Sequence, residues 1–458
     1  MPWLTMRQRP GPMQAKLDLW LFKQVDNSAL VLFRIIFGLL LAVEAFGSMA
    51  TGMVRRQFIE PDFTFTFIEF EFLEPLPGNW MYVLYSIMGV AGLLVMVGYK
   101  YRIAITFYAI TWTYVYLLQK SSYNNHCYLL MLLNYIMIFL PAHRSVSIDA
   151  RLHPAMRKEH MSRWIYVFII TLIGIVYAYA SIAKFYPDWL DGSFPRYLMS
   201  IRGKDWNILQ EEWTHEAIKY FGLFFDLLIV PFLLWKRTRW AAAVASIFFH
   251  IFNSVVFKIG IFPYLALSFL IFFFSVEKIH QWFLWKKPFY SKGEVIVPKS
   301  RKLILAVNSI FLLVMLLLPL RHWMIKGDVF WTEEGHRLSW RMMLRSRSGT
   351  AYFTIHDKDT GDRSIVNLED YLYGKQINAV QSKPDFMWQF AQRLKKEYAA
   401  KGKDIAVYVN AKVGINGRRP SQFTDPEVDI AATKWSQWEH QEWILTSPGY
   451  AREEQRKK

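Results

Sequence analysis

The chain has 458 residues, of which 53% are hydrophobic and 17% aromatic, and the apolar residues are gathered into long runs. This distribution excludes a large soluble enzyme and indicates a multi-pass α-helical membrane protein. The formal net charge of +17 would suit nucleic acid, but the basic residues lie mainly between the apolar runs. Anionic lipid headgroups and membrane topology explain that position, so we expect membrane lipid and no nucleic acid among the partners.

The apolar runs predict a bundle of eight or nine membrane-spanning helices, several of them near the shortest length that crosses the hydrocarbon core. The candidate segments are 29–50, 80–98, 102–119, 127–141, 164–183, 220–235, 240–257, 261–275 and 303–320. If the N-terminus is inside, the inner segments carry 21 Lys and Arg residues and the outer loops carry 9. This asymmetry favours a cytoplasmic N-terminus and an outer C-terminus. We expect no cleavable signal peptide, because the first 28 residues are polar and basic and lead straight into a spanning helix.

The composition changes at Arg321, after which charged residues recur every few positions. The alternating stretches "AYFTIHDKD" and "DIAVYVNAKV" predict strands around turn-like "TG" and "NG" dipeptides. We therefore predict a cytoplasmic segment 1–28, a transmembrane helical domain 29–320, and an extracytoplasmic α+β, mostly β domain 321–458 with a helix near 384–399. The tail "AREEQRKK" is expected to be a solvated end.

The segment "SSYNNHCYLL" has two asparagines and a histidine where the fourth predicted span begins, at the outer face. One interpretation is helix capping by Asn124 or Asn125, with His126 resting at the membrane interface. The alternative is a reactive site, which requires a second polar group at the same face of the membrane.

Lys184 ends the fifth predicted span and is a candidate for that second group. At helical spacing Tyr177, Ala180 and Ser181 lie on its face of the helix, and such residues are typical of a surface packed against other helices. A lysine that extends to the interface is the alternative. In a pocket without water the ammonium is disfavoured, which would leave a neutral amine able to act as a base.

The seventh predicted span contains His250 and Asn253, one turn apart within the hydrocarbon region. Polar residues there normally face a cavity or each other, so a mutually hydrogen-bonded pair is the alternative to a ligand-binding role. Pro263 suits the first turn of the eighth span, which puts Phe262 at the outer rim. An aromatic residue at that level belongs either to an interfacial belt or to a cofactor pocket.

Motifs for other kinds of site are missing from the sequence. There is no H-E-x-x-H motif, no cysteine pair, no G-x-S-x-G and no phosphate-binding glycine loop. We therefore expect no metal site and no nucleotide site.

Several segments together resemble the vitamin K-dependent γ-glutamyl carboxylases and their bacterial relatives with an HTTM-type transmembrane domain. The segments are "PLPGNWMYVLYSIM", "KSSYNNHCYL", "IVYAYASIAKFYPDWLDG", "FFHIFNSVVFKIGIFPY", "LSWRMMLRSRSG" and "DPEVDIAATKWSQW". The similarity covers most of residues 28–445. It implies an enzyme, a carbon–carbon lyase with quinol monooxygenase activity, that converts a reduced naphthoquinone to its epoxide and adds CO₂ at the γ-carbon of protein Glu.

The resemblance also implies roles for individual residues. Lys184 matches the catalytic base, and Asn125 and His126 match the pair that contacts the quinone and its developing charge. Three further residues match the quinone pocket, namely Tyr177, Phe262 and Met342. We add His250 as a fourth candidate for cofactor binding. The implied cofactor is reduced vitamin K, with O₂ and CO₂ as co-substrates and no metal. The implied partners are the quinol, membrane lipid and a Glu-containing protein or peptide, and the implied location is a bacterial inner membrane.

Two features depart from the animal enzymes of this family. Cys127 is the only cysteine, so the chain cannot form their disulfide. Arg345 stands where those enzymes have a histidine near the substrate region. Two alternatives therefore stay open: a quinol epoxidase that does not carboxylate protein, and a quinone- or lipid-binding membrane protein without turnover.

Overall fold

The computed structural model describes residues 12–447 and consists of a helical bundle followed by a region with strands. Residues 1–11 of the predicted N-terminal segment, and the tail "AREEQRKK", lie outside the described residues. The helices are α1 (Pro12–Leu21), α2 (Ser28–Ala50), α3 (Trp80–Val97), α4 (Tyr101–Leu118), α5 (Asn125–Phe139), α6 (Ile148–Leu152), α7 (Trp164–Ile182), α8 (Pro187–Leu190), α9 (Ser193–Arg202), α10 (Glu212–Leu234), α11 (Arg239–Phe257), α12 (Phe262–Ser268), α13 (Val276–Phe283), α14 (Arg301–Leu317), α15 (Val329–Thr332), α16 (Lys375–Ser382) and α17 (Pro384–Ala399). The strands are β1 (Gln24–Asp26), β2 (His160–Ser162), β3 (Arg347–Asp357), β4 (Arg363–Ile365), β5 (Ile405–Ile415) and β6 (Ser421–Gln422). This arrangement confirms the predicted fold class.

The predicted spans are helical, but fewer of them than expected have the length and composition of a membrane span. Within residues 12–447 six helices qualify: α2, α3, α7, α10, α11, and α14 together with the turn that follows it. A seventh is counted if α12, the helical turn that follows it and α13 form one span, although the chain bends by 120° between Phe272 and Val276, where the predicted segment 261–275 ends. α4 is not among the six, because its tyrosines and threonines lower its mean hydropathy, and α5 has only 15 residues.

Close backbone contact joins α2 and α3 at the centre of the bundle. A Cβ atom at Gly38 would lie 2.3 Å from the backbone nitrogen of Met96, and one at Gly92 would lie 2.6 Å from that of Ala42. Only glycine permits this approach, as in other membrane helix pairs with small residues at their interface. The packing directs Leu41 and Ala45 of α2 into the apolar core that the other helices share.

The C-terminal region contains a four-stranded antiparallel sheet in the order β4–β3–β5–β6. β3 and β5 pair along their whole length, from Arg347 opposite Ile415 to Asp357 opposite Ile405. Phe353 and Val407 of these strands are buried in one core with Phe390 of α17. The strands predicted from alternation and the helix predicted near 384–399 are therefore confirmed, whereas α16 is a helix that the sequence pattern did not predict.

Buried ion pairs fix this region against the bundle. Asp385, at the start of α17, pairs with Lys120 at 2.7 Å and with Arg337 at 2.8 Å. Burial lowers the pKa of the Lys120 amine to about 8, although Asp385 opposes this effect. Burial alone would raise the pKa of the Asp385 carboxyl, but Arg337 and Lys120 hold it at about 2. The loop that precedes α5 is thereby tied to α17.

Candidate active site

A cavity of about 880 Å³ lies where the helical bundle meets the C-terminal region. Its wall combines the start of α5, the end of α7, parts of α10 and α11, the start of α12, and the segment 333–347. This volume is typical of sites that enclose a small organic molecule. Every candidate residue from the sequence lines the cavity: Lys184, His126, Asn125, Tyr177, Phe262, Met342 and His250.

Lys184 lies two residues beyond the end of α7 and points into the cavity wall rather than toward the membrane interface. Its amine forms an ion pair with Asp226 of α10 and donates to the carbonyl oxygen of Ala180 at 3.3 Å. Both side chains of the pair are only 7% exposed, and the amine lies 5.2 Å from the ring centroid of Trp189. The interpretation of Lys184 as an interfacial lysine is therefore wrong.

The Asp226 carboxylate changes the effect of burial on the charge of Lys184. A lone amine in a dry pocket would be disfavoured as the ammonium, but Asp226 stabilises the charged form across the ion pair. One proton moved from Lys184 to Asp226 converts the charged pair into a neutral one.

Asp226 was not among the residues predicted from the sequence. A signal was present, because Asp226 is the only acidic residue of the apolar run 220–235. Ionisable residues in such runs normally mark a functional cavity, and Asp226 lines this one.

Asn125 is held by hydrogen bonds from both sides. Tyr123 Oη donates to Asn125 Oδ1 at 2.9 Å, and Asn125 Nδ2 donates to the carbonyl oxygen of Arg341 at 2.9 Å. The backbone N–H of Leu338 in turn donates to Tyr123 Oη at 2.8 Å. One N–H of the Asn125 amide remains for a ligand, because a primary amide carries two.

The helix-capping interpretation of the two asparagines is wrong. Asn124 is the residue that precedes α5, yet its side chain makes no capping hydrogen bond. Asn125 uses its amide across the domain boundary, as described above, rather than on the first turn of α5. Both side chains line the cavity instead.

His126 presents an imidazole without a hydrogen-bond partner in residues 15–447. Its ring lies against Phe262, with 5.6 Å between the ring centroids. Both ring nitrogens are therefore available to a molecule in the cavity or to a neighbouring acid.

His250 pairs with Tyr177 instead of with Asn253. The Tyr177 Oη and His250 Nε2 atoms are 2.9 Å apart, and both residues line the cavity. The pair joins α7 to α11, and Phe262 packs edge-on against His250 with 6.2 Å between the ring centroids. The expected His250–Asn253 pair is thus wrong, although Asn253 lines the same cavity.

The two ends of the cavity differ in chemistry. The end between α9, α10 and α11 is apolar, and its lining includes Leu209, Ile218, Phe221, Phe248, Phe249 and Phe252. The end formed by the C-terminal region is basic, and its charged lining residues are Glu333, Arg341, Arg345, Arg347, Lys375 and Lys383. This arrangement suits a ligand with an apolar tail at one end and an anionic group at the other.

The basic end contains one carboxylate that is already neutralised. Arg345 pairs with Glu333 at 2.6 Å, and Arg347 lies 3.6 Å from the same oxygen. Burial would raise the pKa of the Glu333 carboxyl, but Arg345, His336 and Arg347 hold it well below its usual range. Glu333 therefore does not neutralise the remaining cations.

Arg341 is a cation without a carboxylate partner in the described part of the chain. Its guanidinium lies 4.2 Å from the ring centroid of Phe330, and its Nη1 donates to His322 Nε2 at 3.2 Å. Burial and the nearby Arg345 lower the pKa of Arg341 to about 10, which still leaves it charged at neutral pH. Asp328 and Glu333 favour this charge from nearby but form no salt bridge with Arg341, so an anionic group in the cavity could pair with it directly.

Across residues 15–447, no group of three or more His, Cys, Asp and Glu side chains is arranged to hold a metal ion. The fold and the cavity define a class: membrane proteins with a small-molecule site between a helical bundle and a second domain.

Residues 22–278 match the family model of the HTTM domain, and residues 300–449 match that of the vitamin K-dependent gamma-carboxylase, lumenal domain. The chain belongs to the vitamin K-dependent gamma-carboxylase family, and it is a multi-pass membrane protein whose C-terminal domain is extracytoplasmic. No solved structure matches the chain.

Proposed function

We propose that this membrane protein oxygenates a reduced naphthoquinone to its epoxide and couples that reaction to the addition of CO₂ at the γ-carbon of Glu in a protein or peptide. The observation that carries the proposal is the buried Lys184–Asp226 pair in the wall of a cavity that also includes Asn125 and His126. The family supports carboxylase-like activity, and the residues of the cavity support the finer assignment.

The cavity fits the two organic substrates that this chemistry needs. Phe262 and Met342 offer apolar and polarisable surfaces to a flat ring and contribute no acidic proton. The apolar end beyond Phe249 suits an isoprenoid tail, and the basic end suits a glutamate carboxylate. When bound, the reduced quinone supplies, with O₂, the strong base that no protein side chain can provide.

In this proposal Lys184 is the base that takes a proton from a hydroxyl group of the quinol. Asp226 makes that possible, because it can hold the proton of the resting ammonium while the neutral amine acts. Both side chains are only 7% exposed, which limits the contact of reactive species with solvent.

Asn125 and His126 are proposed to stabilise negative charge that develops on the bound quinol. The free N–H of Asn125 is fixed in direction by Tyr123 and by the Arg341 carbonyl group. The imidazole of His126 has no hydrogen-bond partner in residues 15–447, so its single N–H can donate to the same charge. Tyr177 and His250 are proposed to form the adjacent wall of the quinone site.

Arg341 is proposed to bind the carboxylate of the glutamate that becomes carboxylated. It is a fixed guanidinium without a carboxylate partner in residues 15–447, and its backbone carbonyl group already contacts Asn125. The acceptor carboxylate would thereby lie beside the groups that contact the quinol.

We also propose the orientation and location of the chain. The excess of basic residues in the predicted inner segments supports a cytoplasmic N-terminus, and the relatives that the sequence resembles support a bacterial inner membrane. The predicted domain boundaries, 1–28, 29–320 and 321–458, stay part of this proposal.

The test is incubation of the purified protein with reduced vitamin K, O₂, labelled bicarbonate and a Glu-containing peptide. Epoxide together with labelled peptide is the expected result. Epoxide without label would instead support a quinol epoxidase that does not carboxylate protein. Binding of quinol without either product would support a quinone-binding protein.

A further inference from the structure

His322 is a buried histidine that has no role in the proposed reaction. It lies in the helical turn Leu318–Trp323, directly after α14, and is only 6% exposed. A Cβ atom at Gly335, where φ is +70°, would lie 2.9 Å from the Cα atom of His322. The segment 333–347 of the cavity wall therefore packs directly against this histidine.

The hydrogen bonds of His322 define the state of its ring. Arg341 Nη1 lies 3.2 Å from His322 Nε2, and a guanidinium can only donate, so Nε2 is the acceptor. The carbonyl oxygen of Pro319 lies 2.7 Å from His322 Nδ1 and can only accept, so Nδ1 carries the proton. His322 is thus a neutral imidazole with one partner on each nitrogen. A protonated ring would have no acceptor left for Arg341.

The guanidinium of Arg341 is held on two sides but is not fully hydrogen-bonded. Nη1 donates to His322, and the ring centroid of Phe330 lies 4.2 Å from the guanidinium. The Nε–H is buried without an acceptor in residues 15–447, and Nη2 makes no hydrogen bond there. Nε and Nη2 together form the edge that can bind a carboxylate through two parallel hydrogen bonds. His322 therefore occupies the one nitrogen that this binding mode does not need.

We propose that His322 is a positioning residue, which holds Arg341 so that the Nε–Nη2 edge binds the carboxylate of the acceptor glutamate. The inference rests on the proposed function, which gives Arg341 its ligand. It explains how a long and flexible arginine side chain keeps one direction before the substrate arrives, which lowers the entropy lost on binding. His322 itself does not contact the substrate and transfers no proton.

The test separates the two nitrogens of His322. His322→Asn replaces the Nδ1 donor but offers Arg341 no acceptor within reach, whereas the longer side chain of His322→Gln places an amide oxygen near the position of Nε2. His322→Asn is expected to raise the KM for a Glu peptide about 10-fold, to lower kcat by a smaller factor and to leave the KM for quinol unchanged. His322→Gln should restore most of the peptide affinity. His153→Asn, at an exposed position outside the cavity, should match the wild type.

A double-mutant cycle shows whether His322 acts through Arg341. In the Arg341→Gln background, His322→Asn should not raise the peptide KM further, because the group that it positions is already lost. Effects of the two changes that multiply would overturn the inference. So would a wild-type peptide KM in His322→Asn, or an equal loss in the Asn and Gln variants, since an equal loss indicates a packing role. If His322→Asn does not fold, His322→Gln decides: a peptide KM close to that of the wild type is expected, and one about 10-fold higher contradicts the inference.

Equilibrium binding of a fluorescent Glu peptide, compared with its Gln counterpart, repeats the cycle without turnover. The wild type should prefer the Glu peptide, and His322→Asn should lose most of that preference. A wild type that prefers the Glu peptide but forms no carboxylated product would contradict the proposed function, and the binding cycle would still decide the role of His322. A wild type that binds both peptides equally would overturn the inference, because Arg341 would then hold no carboxylate.

Discussion

Lys184 and Asp226 form a buried ion pair between the end of α7 and the middle of α10, at the wall of the cavity. The pair keeps a lysine amine inside the membrane domain without leaving an isolated charge. Removing one partner leaves the other charge buried and uncompensated, which is far more costly than losing an exposed ion pair.

Asp226→Asn is therefore expected to impair both stability and activity. The unpaired lysine should cost about 3–5 kcal/mol of folding free energy. Epoxide formation should fall at least about 100-fold, because Lys184 loses the carboxylate that holds its amine in position. Thermal unfolding and product assays measure the two effects, with Asp205→Asn in an exposed loop as the matched control. Wild-type turnover in Asp226→Asn would exclude a role for the carboxylate in the reaction.

Tyr123→Phe tests whether the position of Asn125 matters. The variant removes the hydroxyl group that donates to Asn125 Oδ1 and accepts from the Leu338 N–H. We expect kcat to fall about 10-fold with little change in quinol affinity, because the Asn125 amide loses its fixed direction. Tyr135→Phe on α5, the helix that carries Asn125, changes an exposed tyrosine and should behave like the wild type. Equal rates for the two variants would contradict the assigned role of Tyr123.

Arg341→Gln tests the proposed acceptor site separately from the quinone site. Loss of the guanidinium should raise the KM for a Glu peptide about 10-fold or more, because a charged hydrogen bond to the carboxylate is lost. Epoxide formation without peptide should change little. Arg419→Gln, at an exposed position of the C-terminal domain, is the matched control. An unchanged peptide KM would place the acceptor carboxylate elsewhere.

The Asp385 ion pairs predict a dependence of stability on acid pH. Because Lys120 and Arg337 hold the pKa of Asp385 at about 2, the folded state binds this proton less readily than the unfolded chain. The stabilisation is present above about pH 4 and is lost as the pH falls toward 2, and it amounts to about 2 kcal/mol.

Thermal unfolding of the wild type and of Asp385→Asn between about pH 5 and pH 2 measures this difference. The two proteins should converge in stability at the acid end of the range. A difference that stays constant across the range would mean that Asp385 does not contribute through its charge.

The sequence predicted the fold class and the residues that line the cavity. It did not predict which of those residues contact one another. Long apolar runs and alternating strands report burial directly, so the bundle and the strands β3 and β5 could be predicted. The end of the span near 275 could also be predicted, and Ser275 caps α13 there, but the 120° angle between α12 and α13 could not.

The sequence also did not predict which polar residues pair across different helices. Lys184 and Asp226 are 42 positions apart, and Tyr177 and His250 are 73 positions apart. Local spacing suggested instead the wrong pair, His250 with Asn253. The lone acids Asp226 and Glu44 were detectable as charges within apolar runs, although nothing local to them indicates a partner.

Epoxide formation by Lys184→Ala tests the role of Lys184 most directly. It is measured beside the wild type and beside Lys204→Ala, which changes an exposed lysine outside the cavity. Lys184→Ala should bind reduced vitamin K but form no epoxide, whereas Lys204→Ala should form it at the wild-type rate. Full epoxide formation by Lys184→Ala would contradict the assignment of Lys184 as the base.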